Sequence, residues 1–111
     1  MSTFIYSHNV GTYRGYEFQI GVRAEPNLNV VESFAVVLFY EPFEEEYVEI
    51  AKIDNSEHEE GAVHFDRYYR TESAETKDFG IEVDSVFEAE DILEENWRRY
   101  VRLYEENHGI E

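Results

Sequence analysis

Eight residues in the middle of the chain carry side chains suited to chemistry: Asp54, Asn55, His58, His64, Asp66, Arg67, Tyr68 and Arg70. His64, Asp66, Tyr68 and Arg70 recur at every second position, so in an extended strand they share one face. An imidazole carries protons near neutral pH. A guanidinium holds a phosphate through two parallel hydrogen bonds and stabilises charge developing on it. A set in which His64 and Asp66 move protons and Arg70 anchors a phosphate could cleave RNA without a metal. It could equally bind an anion and do nothing more, or be a solvated strand face with a cross-strand ion pair. Asp54, Asn55, His58 and Tyr68 are candidate binding residues beside it. His58 and Asp54 with His64 and Asp66 also offer nitrogen and oxygen metal ligands, at a spacing that matches no strong ligand pattern. A P-loop, G-x-G-x-x-G, H-E-x-x-H, G-x-S-x-G and the acidic calcium loop are all missing, so no cofactor is expected.

These residues need a scaffold, and the flanking pattern supplies one. Thr3 to His8 suggest a short first strand, with Gly11 and Gly15 bracketing a turn. Tyr16, Phe18, Ile20, Val22 and Ala24 alternate with polar neighbours or glycine, the period of a half-buried strand. Phe34 to Tyr40 is apolar on both faces and reads as a central strand, ended by Pro42. Tyr47 to Ile53 forms a fourth, less regular strand. Ala62 to Arg70 forms a fifth, with Val63, Phe65 and Tyr69 opposite the polar set, and Phe79 to Val83 a short sixth or an extended lead-in. Ser85 with Glu88 matches a capping box. From there Val86, Ala89, Leu93, Trp97, Tyr100 and Tyr104 trace one helical stripe. The spacings Glu94–Arg98 and Glu95–Arg99 suit i,i+4 ion pairs. Asn107-His108-Gly109 supplies a stop, giving a helix of ~22 residues and ~33 Å. Strands followed by one long helix imply an α+β fold: an antiparallel meander of about five strands packed on a C-terminal helix, in a single domain over residues 1–111.

Composition narrows the setting. The 111 residues include 26 Asp or Glu and 9 Lys or Arg, a net charge of -17. Only Lys52 and Lys77 are lysines. Residues 1–40 carry a net of -1 and residues 41–111 a net of -16. Scarce lysine with acids spread over several segments fits a halophilic protein: at ~1 M salt the Debye length is only ~3 Å, and like charges hardly repel. A nucleic-acid mimic or a partner for a basic protein would also be acidic. The absence of cysteine excludes disulfides, zinc-thiolate sites and a thiol nucleophile. No apolar run approaches the length of a membrane helix and no secretion signal precedes the first strand, so a cytoplasmic location is expected. His8 reads as a surface residue and His108 as a helix cap. The 18 aromatic residues are enough for a core with some left over, and a few could form a homodimer surface.

The stretch Ile53-Asp54-Asn55, a polar loop, His64-Phe-Asp-Arg-Tyr-Tyr69 and the helix ending Glu95-Asn-Trp-Arg-Arg-Tyr-Val-Arg-Leu-Tyr-Glu-Glu-Asn107 resembles a family of small uncharacterised haloarchaeal proteins. Their layout is similar to the TumE toxins of toxin–antitoxin pairs, which have an antiparallel sheet, a Tyr-Asp-Asn turn, a His-rich strand and a C-terminal helix. The likeness runs over residues 34–107 and is specific at Asp54-Asn55 and His64. Here Ile53 stands where the toxins have Tyr, and the strand holds one His where they often have two. The resemblance implies a toxin–antitoxin-like component with an antitoxin-like protein partner, and carries no reaction with it. Three functions therefore stand open: a component acting through a partner, a metal-independent ribonuclease built on His64, Asp66 and Arg70, and a structural or regulatory protein with no active site.

Overall fold

The computed structural model describes residues 4–29, 31–44, 46–55, 64–66, 77–79 and 85–109. Strands β1 (Tyr6–Tyr13), β2 (Tyr16–Pro26), β3 (Val31–Tyr40) and β4 (Val48–Asp54) are followed by two three-residue strands, β5 (His64–Asp66) and β6 (Lys77–Phe79), and by helix α1 (Val86–His108). The strands lie in sequence order, each antiparallel to the next. The expected α+β meander on one C-terminal helix is therefore present, as four long strands extended by two short ones.

The helix forms where its local signals place it. Ser85 is extended, and its Oγ accepts from the Glu88 N–H at 3.1 Å, satisfying one of the free donors of the first turn. Gly109 closes the other end with a positive φ, its N–H reaching Glu105 O at 3.0 Å. Between the caps, Val86, Ala89, Leu93, Trp97, Tyr100 and Val101 are buried. They pack on the sheet face formed by Phe18, Ile20, Val22 and Ala24 of β2, Phe34, Val36, Leu38 and Tyr40 of β3, Ile50, Ala51 and Ile53 of β4, and Phe65 of β5. Phe18 stacks on Trp97, and Phe65 meets Tyr100 edge to face with ring centroids 5.8 Å apart in each pair. Tyr104 is only partly buried. Arg98 lies over the indole of Trp97, 4.7 Å from the ring centroid.

The start of the chain corrects the sequence reading. Gly11 does not begin a turn. The strand runs through it to Tyr13, and the turn is the Arg14-Gly15 pair, both at positive φ. At Gly11 the register slips by one residue. A bulge of this kind reverses which side chains face the core. Tyr6 and His8 lie opposite Val22 and Ile20 on the helix side, and after the slip Gly11 and Tyr13 lie opposite Phe18 and Tyr16. Without the bulge, Tyr13 would point away from the helix. Gly11 is needed for a second reason: a Cβ there would sit 2.5 Å from Trp97 Cζ2. The strand touches the helix backbone-to-ring at this point.

The bulge lets two helix carboxylates hold β1 at both ends. Glu90 accepts from the Tyr6 hydroxyl at 2.8 Å and lies 2.9 Å from His8 Nε2. Glu105 accepts from the Tyr13 hydroxyl at 2.9 Å and pairs with Arg14 Nε at 2.8 Å. Tyr6 to Tyr13 spans about 23 Å of strand, and Glu90 to Glu105 about 22 Å of helix. The two elements run side by side with matched anchor points. His8 is thus a half-buried partner of the helix rather than a surface residue.

Burial of the Tyr6 hydroxyl and its bond to Glu90 push its pKa up from 10.0 to about 12. A raised phenol pKa means that the folded state holds its proton more tightly than the unfolded chain. The contribution is complete below pH ~10 and is lost as the pH rises through about 12. Wild type should therefore lose stability across that window, and Tyr6→Phe should lose less. Thermal melts at pH ~9 and ~11.5 check this; equal losses in the two proteins would show that Tyr6 is not coupled to folding.

Candidate functional site

Phe65 faces the helix, and its backbone neighbours His64 and Asp66 pair in register with Asp54 and Lys52 of β4. The register builds two rows across the sheet. One runs Arg23, Ala35, Asp54, His64 across β2 to β5, and the next runs Gly21, Val37, Lys52, Asp66. Asp54 and His64 are direct cross-strand partners, as are Lys52 and Asp66. Directly opposed residues are within side-chain reach of each other. The backbone register thus sets His64 beside Asp54 and Asp66 beside Lys52. His58, Tyr68 and Arg70, together with Arg67, lie outside the described residues.

The described members of this cluster are engaged in the sheet. Asp54 is 1% exposed. Its Oδ2 lies 3.4 Å from Nζ of the largely buried Lys52, an attraction strengthened by the low local dielectric. Asn55 sits just past the end of β4 and closes it onto β3. Its N–H donates to Phe34 O at 3.3 Å, and its Oδ1 accepts from the Phe34 N–H at 2.8 Å. One residue thus satisfies both backbone groups of Phe34. The Asn55 carbonyl oxygen is committed to the scaffold, which accounts for an Asn at this position without a ligand.

The other end of the same face is aromatic. A Cβ on Gly21 would lie 2.4 Å from the ring of Phe4, so the glycine forms a seat for that ring. Phe4 stacks on Phe39 at 5.4 Å, and Phe39 meets Tyr47 at 4.9 Å. The Tyr47 hydroxyl donates to Glu49 Oε2 at 2.7 Å. The face therefore grades from charged residues at Arg23, Lys52 and Asp54 to aromatic rings at Phe4, Phe39 and Tyr47. Sequence reasoning missed this aromatic end, and also the Tyr6–His8–Glu90 and Tyr13–Arg14–Glu105 clusters on the helix side. A glycine inside an otherwise strand-like run, as at Gly11 and Gly21, was the signal available for close approach of another group.

Chemically, the described charged residues Arg23, Lys52 and Asp54 place two cations and one carboxylate at this end of the sheet. No group of three or more His, Asp or Glu suited to a metal ion occurs among the described residues. Among the described residues no helix is long and apolar enough to cross a membrane.

The fold is an α+β domain in which one helix covers one side of an antiparallel meander. The family model for a domain of unknown function, DUF7718, matches residues 3–110, and the chain belongs to that family. No curated protein and no solved structure matches it.

Proposed function

We propose that the protein is a salt-adapted, toxin–antitoxin-like component of the cytoplasm that acts by binding a protein partner. The observation that supports this most is the engagement of Asp54 with Lys52 and of Asn55 with Phe34. These two candidate binding residues serve the scaffold instead of holding a small ligand, which favours a surface that works by presenting side chains to a partner. The acidity of residues 41–111 supports the salt-adapted part of the reading.

A second reading has its own support. The register sets Asp54 opposite His64 along the strands, and a carboxylate beside an imidazole is a common way to orient a proton carrier. In that reading the protein is a metal-independent ribonuclease, with His64 and Asp66 at the reacting phosphate and Arg70 as its anchor.

Induced expression in a salt-adapted host separates the two. Partner binding predicts growth arrest that persists in His64→Ala, with cellular RNA intact. Arrest abolished by His64→Ala, with RNA fragments in the wild type alone, would establish the ribonuclease. Wild-type expression without arrest would remove the toxin-like role.

A further inference from the structure

The segment joining β3 to β4 presents aromatic surface in an unusual setting. Phe43 is 60% exposed and Tyr47 44% exposed. They flank a turn closed by the Glu46 N–H donating to Phe43 O at 3.0 Å. Tyr47 continues the Phe39 and Phe4 stack outward to solvent. The polar residues around these rings are of one sign: Glu41, Glu44 and Glu46 are exposed in the same segment, and Glu49 holds the Tyr47 hydroxyl. Exposed rings contribute nothing to solubility, and salt adaptation calls for carboxylates, not for phenylalanine at the tip of a turn.

We propose that this turn is the docking surface for an arginine-bearing basic segment of the protein partner. The inference rests on the partner-binding reading and names the partner's chemistry. Charge complementarity selects it. A guanidinium stacks on an aromatic face and forks onto a carboxylate at the same time, which an ammonium does poorly. Those contacts are short-range and survive in molar salt, where long-range attraction is screened. A nucleic acid would bring phosphates against four glutamates. A second copy of the chain would bring its own four glutamates against them. Either would press anion against anion at contact distance with no cation between them, a desolvation cost that salt screening does not remove.

Amide chemical-shift titration at ~1 M KCl tests this, with a synthetic peptide of alternating Arg and Leu as probe and the Lys–Leu peptide for comparison. Shifts should concentrate on residues 41–49 and on Phe4 and Phe39. The Arg peptide should bind more tightly than the Lys peptide. Phe43→Ser with Tyr47→Ser, which leaves the net charge unchanged, should weaken binding about tenfold. Phe87→Ser, which removes an equally exposed ring from the helix start, should not. Shifts spread over the acidic face of α1, equal binding of the two peptides, or an unchanged affinity in the double variant would overturn the proposal. So would concentration-dependent self-association abolished by the same double variant, since the occupant would then be a second copy. In the expression assay the double variant should relieve growth arrest. Arrest that persists in it overturns this docking surface and leaves partner binding standing, whereas a wild type without arrest overturns the toxin-like role while the peptide titration still decides the surface.

Discussion

Replacing Trp97 by alanine should cost about 3–5 kcal/mol of stability, the usual range for removing a buried large aromatic. The indole is 7% exposed and stacked on Phe18. It rests against the backbone of Gly11 and is covered from outside by Arg98. It therefore joins the helix to β2 and β1 at once, and its loss opens a cavity that neither strand can close without abandoning the register of the bulge. Against a total of ~5–15 kcal/mol for a domain, the variant should be largely unfolded in dilute buffer and measurable only in concentrated KCl. Gly11→Ala attacks the same contact from the other side. Its Cβ meets the ring, and φ at this position is +151°, where side chains are strained. It should cost ~1–3 kcal/mol. In a Trp97→Ala background the steric part of that cost disappears, so the two losses should add to less than their sum. Urea titrations of the four proteins measure this. A Trp97→Ala variant that melts within a degree or two of wild type would place the indole outside the core.

Trp97 also shows which features local sequence could and could not reveal. Its burial was legible because the stripe from Val86 to Tyr100 repeats at helical spacing and both caps lie within a few residues of the helix ends. The alternation of β2 was legible for the same reason. The seat of Trp97 on Gly11 was not, since the contact joins residues far apart in the chain, and the bulge at Gly11 breaks the period of two that would have extended the first strand to Tyr13. The irregularity of the fourth strand has the same origin. The register slips between Leu38 and Phe39, leaving Ile50 and Ala51 both in the core. At the candidate site, alternation alone could set His64 and Asp66 two positions apart on one strand. That Asp54 stands opposite His64, and that Asn55 clasps Phe34, depended on register and on a pairing across 21 residues. The carboxylate clamps on β1 were hidden further still. In the sequence Glu90 is one of several acids near the helix start, and only the fold shows it between Tyr6 and His8.

Raising KCl from ~0.1 M to ~2 M should raise the melting midpoint substantially. Residues 41–111 carry a net charge of -16 in a domain whose radius of gyration is 13.7 Å. In dilute buffer the Debye length of ~10 Å lets most of those charges feel one another; at ~1 M it is ~3 Å and they do not. Opposing this, salt weakens ion pairs such as Arg14–Glu105, but Arg14 is exposed and pairs of that kind contribute only ~0–1 kcal/mol. Repulsion among the carboxylates outweighs these pairs, so its screening decides the sign. A relief of about 2 kcal/mol corresponds to roughly 8–16 °C for a domain of this size. Salt also strengthens apolar burial, and a second variant distinguishes the two causes. Glu44, Glu46, Asp91, Glu94 and Glu106 are all exposed; changing the four glutamates to Gln and Asp91 to Asn removes five negative charges without touching the core. If repulsion is the cause, this variant should melt higher than wild type at ~0.1 M KCl and respond less to added salt. If strengthened burial is the cause, its response should match that of wild type. A wild-type midpoint that stays level or falls at ~2 M would remove salt adaptation as the reason for the acidity, and the carboxylates beside Phe43 and Tyr47 would then need a local explanation of their own.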